Sequence, residues 1–95
     1  MRVLIVEDSQ PLAEALARGL GAEGYACDLA RDGERALAFL DGVDYDLVVL
    51  DLMLPGIDGL DVLRTIRGRD DATRVLVLSA RDQVGDRVTA LDAGA

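Results

Sequence analysis

Three short runs made only of large apolar residues constrain the fold of this 95-residue chain more than any other feature. A run with no polar residue is typical of a strand that is covered on both faces, as in a parallel sheet. Each run is followed by a segment in which apolar residues recur every three or four positions, which predicts a helix. The runs are residues 3–6, 47–50 and 75–78.

The remaining segments predict the other elements. Leu12, Leu16 and Leu20 recur on one helical face, with Ser9 as the expected N-cap. Residues 25–30 form a mixed strand, interrupted by Asp28, which fits an edge of the sheet. The resulting alternation of strand and helix predicts an α/β fold with a doubly wound parallel sheet. The later helices are marked by Ala36, Leu37 and Leu40, by Val62, Leu63 and Ile66, and by Val84, Val88 and Leu91, the last ended by Gly94.

The acidic composition limits the functions that this chain can perform. It carries 18 Asp and Glu against 10 basic residues, a net charge of −8, which repels nucleic-acid phosphates and anionic membranes. It contains no His, which excludes Ser/His/Asp catalysis and His-ligated zinc. Its single cysteine, Cys27, excludes an internal disulfide. We therefore expect a soluble, cytoplasmic domain that contacts neither nucleic acid nor a membrane directly.

Acidic residues stand directly at the ends of two of the predicted buried strands. Glu7 and Asp8 follow the first strand, and Asp51 ends the third. Because the carboxyl ends of parallel strands lie at one edge of a sheet, these carboxylates converge if the two strands are neighbours. A hard divalent cation such as Mg²⁺, which prefers oxygen ligands, removes their mutual repulsion. The fourth strand ends at the same edge in Ser79 and Ala80, which offer a hydroxyl group and open space.

A carboxylate nucleophile, a metal cluster, a hydroxyl group and an open space are together suited to the transfer of a phosphoryl group onto Asp51. Each group alone has a more ordinary interpretation. An acidic pair after a strand is most often a solvated turn, and a serine after a strand is most often a helix N-cap. Their coincidence at three strand ends is what indicates a functional site.

At these positions the chain resembles the receiver domain of two-component response regulators. The resemblance is carried by the segments VLIVEDS, VVLDLMLPGIDGLDVLRTIR and VLVLSARDQVGDRVTALDAGA. The last two resemble the subfamily whose receivers precede a winged-helix DNA-binding domain. The resemblance implies a flavodoxin-like sheet of order 2-1-3-4-5. It also implies a signalling domain rather than an enzyme, which receives a phosphoryl group from a sensor histidine kinase and controls an output such as transcription.

The resemblance also assigns roles to individual residues. Asp51 would accept the phosphoryl group. Glu7, Asp8, Asp51 and the main-chain carbonyl of Met53 would hold Mg²⁺, the one cofactor that the family implies.

Further roles implied by the resemblance concern the surroundings of the acceptor. Ser79 would form a hydrogen bond to the phosphoryl group and shift with it. Ala80 would leave room for that group, and Pro55 and Gly59 would shape the loop beside Asp51.

The sequence departs from the family pattern at its carboxyl end. In the family, the segment DAGA leads into a fifth strand, which carries a lysine that pairs with the phosphoryl group, and into a fifth helix. This sequence ends at Ala95 and contains no Lys. We therefore expect residues 1–95 to form a C-terminally incomplete receiver domain of strand order 2-1-3-4. Its fourth strand would lie at an edge, where unpaired backbone groups favour a homodimer or a strand-mediated oligomer.

Three alternative interpretations remain open. Gly19, Gly21 and Gly24 spell the G-x-G-x-x-G pattern of dinucleotide-binding domains, but this pattern closes a helix rather than opening one. An aspartate-nucleophile phosphatase would carry an acid–base Asp two residues after the nucleophile, where this chain has Met53. The third alternative is an interaction fragment that has the receiver fold but no competent phosphorylation site.

Overall fold

One five-stranded sheet and three helices make up the described part of the chain, residues 1–69, 73–79 and 87–89 of a computed structural model. The strand order is β2-β1-β3-β4-β5, and the first four strands are parallel. The predicted α/β fold with parallel order 2-1-3-4 is therefore confirmed. The elements are β1 (Arg2–Val6), α1 (Gln10–Ala22), β2 (Ala26–Ala30), α2 (Gly33–Gly42), β3 (Leu47–Asp51), α3 (Gly59–Gly68), β4 (Arg74–Ser79) and β5 (Arg87–Thr89).

The central strands β1 and β3 are buried on both faces of the sheet. Successive side chains of a strand point to opposite faces, so each strand contributes to two separate apolar clusters. One cluster includes Leu4 and Val48 together with Ile66 of α3. The other includes Val3 and Val49 and packs against α1. This double burial is the physical reason that the strands have no polar residue in their interiors.

Helix α1 begins as predicted but turns a different face to the sheet. The Ser9 side chain accepts a hydrogen bond from the Leu12 amide at 3.5 Å and caps the helix. The predicted apolar face of Leu12, Leu16 and Leu20 is only partly buried, because the Leu12 side chain is 44% exposed. Each residue advances about 100° around a helix, and the buried face is centred on Ala13, Leu16 and Leu20. Leu12 lies at the margin of that face.

The glycines of the G-x-G-x-x-G pattern lie at the carboxyl end of α1. Gly19 and Gly21 are within the helix, and Gly24 follows it with a φ of 96°. The pattern therefore ends a helix and precedes a strand, as predicted, and lacks the strand-to-helix setting that a dinucleotide site requires.

Helices α2 and α3 cover the opposite face from α1. Asp32 caps α2 by accepting a hydrogen bond from the Arg35 amide at 2.8 Å, and α2 ends at Gly42. Ala36 of α2 and Val62 of α3 are fully buried. None of the helices in the described part of the chain has both the length and the apolar character that a membrane span needs.

Residues 87–89 form a strand where the sequence predicts a helix. Strand β5 pairs antiparallel with residues 77–79 of β4. The outer edge of β4 offers unpaired backbone groups, and Val88 and Thr89 are β-branched residues that favour strands. The helix prediction is therefore wrong for these three residues. The other residues that it named, Val84, Leu91 and Gly94, lie outside the described residues.

The expectation that the fourth strand lies at an edge of the sheet is wrong for residues 77–79, which pair with β5, but β5 covers only part of the outer edge of β4. Its pairing reaches residues 77–79, and no strand in the described ranges pairs with residues 74–76 on that edge. Arg74, which is exposed, begins this unpaired stretch, and a charged residue on an edge opposes strand addition. A homodimer or strand-mediated oligomer remains a prediction.

The polar residue that interrupts β2 belongs to a hydrogen-bond network near the amino ends of β1 and β3. The Tyr45 hydroxyl donates to Asp28 Oδ2 at 2.6 Å, and Arg2 forms an ion pair with the same oxygen at 3.3 Å. Burial and the adjacent Asp28 carboxylate raise the pKa of Tyr45 to about 12. The network therefore links the edge strand β2 to β1 and to the residues that precede β3.

Replacing Tyr45 with Phe removes the hydroxyl donor from a partly buried carboxylate. We expect the free energy of unfolding to fall by about 1–2 kcal/mol, measured by urea denaturation followed by circular dichroism. Tyr25→Phe is the matched control, because the Tyr25 hydroxyl forms no hydrogen bond within the described residues. Equal loss of stability in the two variants would contradict a specific role for the bond to Asp28.

Candidate metal centre at the carboxyl edge of the sheet

Three carboxylates meet where β1 and β3 end. The two strands are parallel neighbours, and Val6 is the partner of Leu50. The residues that follow these partners are Glu7 and Asp51. One carboxylate oxygen from each of Glu7, Asp8 and Asp51 lies within 4.8 Å of the others. The structure therefore brings together the acidic residues that the sequence predicted to converge.

The two buried members of this cluster are held by backbone amides. Glu7 is 5% exposed and Asp51 is 6% exposed, whereas Asp8 is exposed. The Ser9 amide donates to Glu7 Oε2 at 2.8 Å, and the Met53 amide donates to Asp51 Oδ1 at 3.0 Å. In both cases the donor lies two residues after the carboxylate, so a tight local turn fixes the orientation of the side chain.

The burial and the like charges of this cluster change the pKa of Glu7. Burial, together with the nearby Asp51 and Asp8, raises the pKa of Glu7 to about 7 against the opposing hydrogen bond from the Ser9 amide. A cluster of oxygen ligands with excess negative charge fits a hard divalent cation, because the cation replaces both the lost hydration and the missing positive charge. The donor set therefore fits Mg²⁺.

The loop of residues 52–58 forms the outer wall of the site. At its end, Gly59 packs so closely on the acceptor that a Cβ there would lie 2.6 Å from the Asp51 carbonyl oxygen and from Leu52 Cα. No side chain fits at that position. A cavity of about 500 Å³ lies between Asp8 and this loop, and is lined by Asp8, Leu52, Met53, Leu54, Pro55, Gly56 and Asp58.

The predicted residues of β4 are described only in part. Ser79 is the last residue of β4 and follows Leu78, the partner of Asp51, so its backbone lies at the same edge of the sheet. Ala80 lies outside the described residues.

Two features of the site were not predicted from the sequence. One is the pair of backbone amides, of Ser9 and Met53, that orient the buried carboxylates. The other is a cavity of about 460 Å³ on the β2 side of Glu7, with Arg31 and Arg35 in its wall. Arg31 directly follows β2, so the same strand-end argument that located the acidic residues could have located it.

Comparisons with known proteins identify the family of this chain. Residues 3–95 match the family model of the response regulator receiver domain. The chain is 50% identical over 95 residues to the transcriptional regulatory protein TcrA of Mycobacterium tuberculosis, and covers 38% of that protein. It is 46% identical over the same length to the response regulator MprA of Mycobacterium tuberculosis, and covers 41% of it. The chain thus spans less than half the length of these curated relatives.

A solved structure shares the fold. It is the response regulator protein TrrA from Thermotoga maritima in complex with Mg²⁺-BeF, which is 39% identical and superposes with a TM-score of 0.81. The match covers 86% of this chain and 71% of that chain.

The raised pKa of Glu7 predicts how stability depends on pH in the absence of a divalent cation. The ordinary value is 4.5 and the folded value is about 7, so between these values the folded state binds more protons than the unfolded state. The free energy of unfolding must then fall as the pH rises through this range. We expect urea denaturation with a chelator present to give lower stability at about pH 8 than at about pH 5.

The Glu7→Gln variant should lose most of this pH dependence, because it cannot release the proton. The control is Glu23→Gln, an exposed position after α1. A pH dependence that is unchanged in Glu7→Gln would assign it to other groups.

Proposed function

This chain belongs to the response regulator receiver domain family, and on that premise we propose that it accepts a phosphoryl group on Asp51 from a sensor histidine kinase, with Mg²⁺ as cofactor. The phosphorylated domain switches conformation to control an output such as transcription. The main support is the cluster of Glu7, Asp8 and Asp51, whose oxygens lie within 4.8 Å of one another at the carboxyl edge of the sheet. The relatives described above are response regulators and transcriptional regulatory proteins rather than classical enzymes.

The proposed transfer uses Asp51 as a nucleophile. A carboxylate oxygen of Asp51 attacks the phosphorus atom of a phosphohistidine, the phosphorus–nitrogen bond breaks, and its electron pair returns to the imidazole. The product is an acyl phosphate on Asp51. The hydrogen bond from the Met53 amide to Oδ1 supports this role, because it fixes the carboxylate before the donor arrives.

The proposed cation ligands are Glu7, Asp8, Asp51 and the main-chain carbonyl of Met53. Bound Mg²⁺ would supply the positive charge that phosphoryl oxygens require during transfer. Glu7 and Asp8 would hold the Mg²⁺ ion next to Asp51. The ion would thereby bring the phosphoryl group and the Asp51 carboxylate together.

The surrounding residues have supporting roles in this proposal. The Ser79 hydroxyl would form a hydrogen bond to the phosphoryl group, and Ala80 would leave room for it. Pro55 and Gly59 would shape the loop beside Asp51. The close approach of Gly59 to the Asp51 carbonyl supports the role of this glycine, because any side chain would displace the acceptor backbone.

The proposed partners follow from charge and from the relatives. A net charge of −8 disfavours direct contact with DNA, so an effect on transcription would pass through a separate output domain. A homodimer or strand-mediated oligomer would have to form on the outer edge of β4 at residues 74–76, and the exposed Arg74 at the start of that stretch opposes it.

A second candidate is a receiver fold that acts by interaction without being phosphorylated, and an Asp51 that stays unlabelled in the presence of Mg²⁺ would support it. The phosphatase alternative has less support, because Met53 stands where such an enzyme needs an acid–base carboxylate. Turnover of phosphate monoesters would support the phosphatase alternative over both other functions.

The acceptor assignment predicts a single labelled residue. In a chain that continues through the family's fifth strand and helix, a small-molecule acyl phosphate with Mg²⁺ should add one phosphoryl group to Asp51. The 95-residue chain should be labelled slowly or not at all. The reason is that the family's lysine, which would balance the developing phosphoryl charge, has no counterpart in residues 1–95, which contain no Lys.

Mass spectrometry of peptide fragments locates the label, and Asp51→Asn should carry none. A label on Asp58 or Asp61 instead would refute the assignment of Asp51.

The metal assignment predicts a weak Mg²⁺ site that depends on Asp8. Asp8→Asn removes one negative oxygen ligand, so the Mg²⁺ affinity measured by calorimetric titration should fall by about tenfold or more. Asp44→Asn is the control, because Asp44 is also exposed but precedes β3 at the opposite end of that strand. Equal Mg²⁺ affinity in the Asp8 variant and the unchanged chain would locate the metal elsewhere.

A further inference from the structure

The first turn of α2 lies against the loop that follows Asp51. A Cβ placed on Gly33 would lie 2.8 Å from Ile57 Cβ, 2.9 Å from the Ile57 carbonyl oxygen and 3.2 Å from Ile57 Cγ2. Real Cβ atoms essentially never approach other atoms closer than 3.0 Å. The contact with the carbonyl oxygen involves backbone, so a side chain at Gly33 would have to displace the loop itself.

A second close approach joins the neighbouring residues, Glu34 after Gly33 and Gly56 before Ile57. Gly56 has a φ of 73°, and a Cβ there would lie 2.9 Å from Glu34 Oε1. Two successive residues at the start of α2 therefore abut two successive residues of the loop. Ile57 also packs against the apolar cluster between the sheet and helices α2 and α3. The loop therefore contacts both the start of α2 and the core.

The other parts of the same loop rest on the acceptor. The Met53 amide donates to Asp51 Oδ1 at 3.0 Å. The Gly59 amide donates to the Leu52 carbonyl at 3.4 Å, and Gly59 packs directly on the backbone of Asp51. A displacement imposed at Ile57 is therefore transmitted, over a few residues of chain, to the groups that orient the Asp51 carboxylate.

From this juxtaposition we propose that Gly33 is a positioning residue for the acceptor: its lack of a side chain lets Ile57 seat the loop so that the Met53 amide holds Asp51. The first residues of α2 are not among the three carboxylates of the cluster. They thereby become part of the site through the loop that they contact. The inference rests on the proposed function of Asp51, but the contact between Gly33 and Ile57 can be tested independently of it.

The test compares Gly33→Ala with Gly42→Ala in the 95-residue chain. Gly42 ends the same helix, and nothing lies within 4 Å of a Cβ placed on it. Alanine is the better helix former at both positions, so the two changes differ in the contact and not in helix propensity. A thermal melt first establishes that each variant is folded.

We expect the amide of Met53 to exchange hydrogen faster in Gly33→Ala, because its bond to Asp51 is disturbed. Mg²⁺ affinity should fall by about tenfold, and the rate of labelling by an acyl phosphate, where the unchanged chain is labelled, by about 10-fold to 100-fold. Gly42→Ala should stay within about twofold of the unchanged chain in all three measurements. A folded Gly33→Ala with unchanged Met53 exchange, or with unchanged Mg²⁺ affinity, overturns the proposal.

A double variant covers the case in which Gly33→Ala does not fold. Ile57→Gly removes Cβ and Cγ2, two of the three atoms that the new methyl group would meet. The effect of Gly33→Ala should therefore be smaller in the Ile57→Gly background. An unfolded Gly33→Ala that Ile57→Gly restores supports the proposal, and one that stays unfolded contradicts it.

The measurements separate this inference from the proposed function. If the unchanged chain neither binds Mg²⁺ nor accepts a phosphoryl group, the proposed function fails, and the exchange of the Met53 amide alone decides whether Gly33 positions the loop. If the unchanged chain binds Mg²⁺ and the Gly33 variant binds it equally well, the positioning role fails while the proposed Mg²⁺ site stands.

Discussion

The parallel pairing of β1 with β3 is the constraint on which the rest of the structure depends. Because Val6 is the partner of Leu50, the residues that follow, Glu7 and Asp51, must come together as like charges with little solvent around them. Apolar burial of both strands on both faces stabilises the pairing by far more than one repulsive contact costs. The fold can therefore hold a charge cluster that would not assemble by itself.

The repulsion in this cluster connects stability to function. Burial of Glu7 raises its pKa to about 7, so without a cation the cluster is partly neutralised by a proton. A divalent cation would displace that proton and make all three carboxylates available as ligands. Such a site costs stability until it is occupied, which is common where a fold carries a binding function.

Backbone geometry matters as much as carboxylates in building the site. The Ser9 and Met53 amides orient the two buried acids, and close packing at Gly33 and Gly59 fixes the loop that carries one of those amides. The orientation of a side chain is defined only as well as the position of the backbone that carries it. The loop contacts two helices, α2 and α3, so the orientation of the acceptor depends on elements outside the loop itself.

The sequence by itself determined the alternation of elements, the parallel sheet and the carboxylates that meet at its edge. These features follow from periodicity and from the rule that parallel strands end at one edge, and residues 3–6 and 47–50 carry that information locally. Tertiary structure decided the rest. Leu12 is exposed because the orientation of α1 is set by what it packs against, and Val88 lies in a strand because an open edge of β4 offers pairing that no local pattern encodes. The contact of Gly33 with Ile57 joins residues 24 positions apart, so only the folded chain brings them within reach.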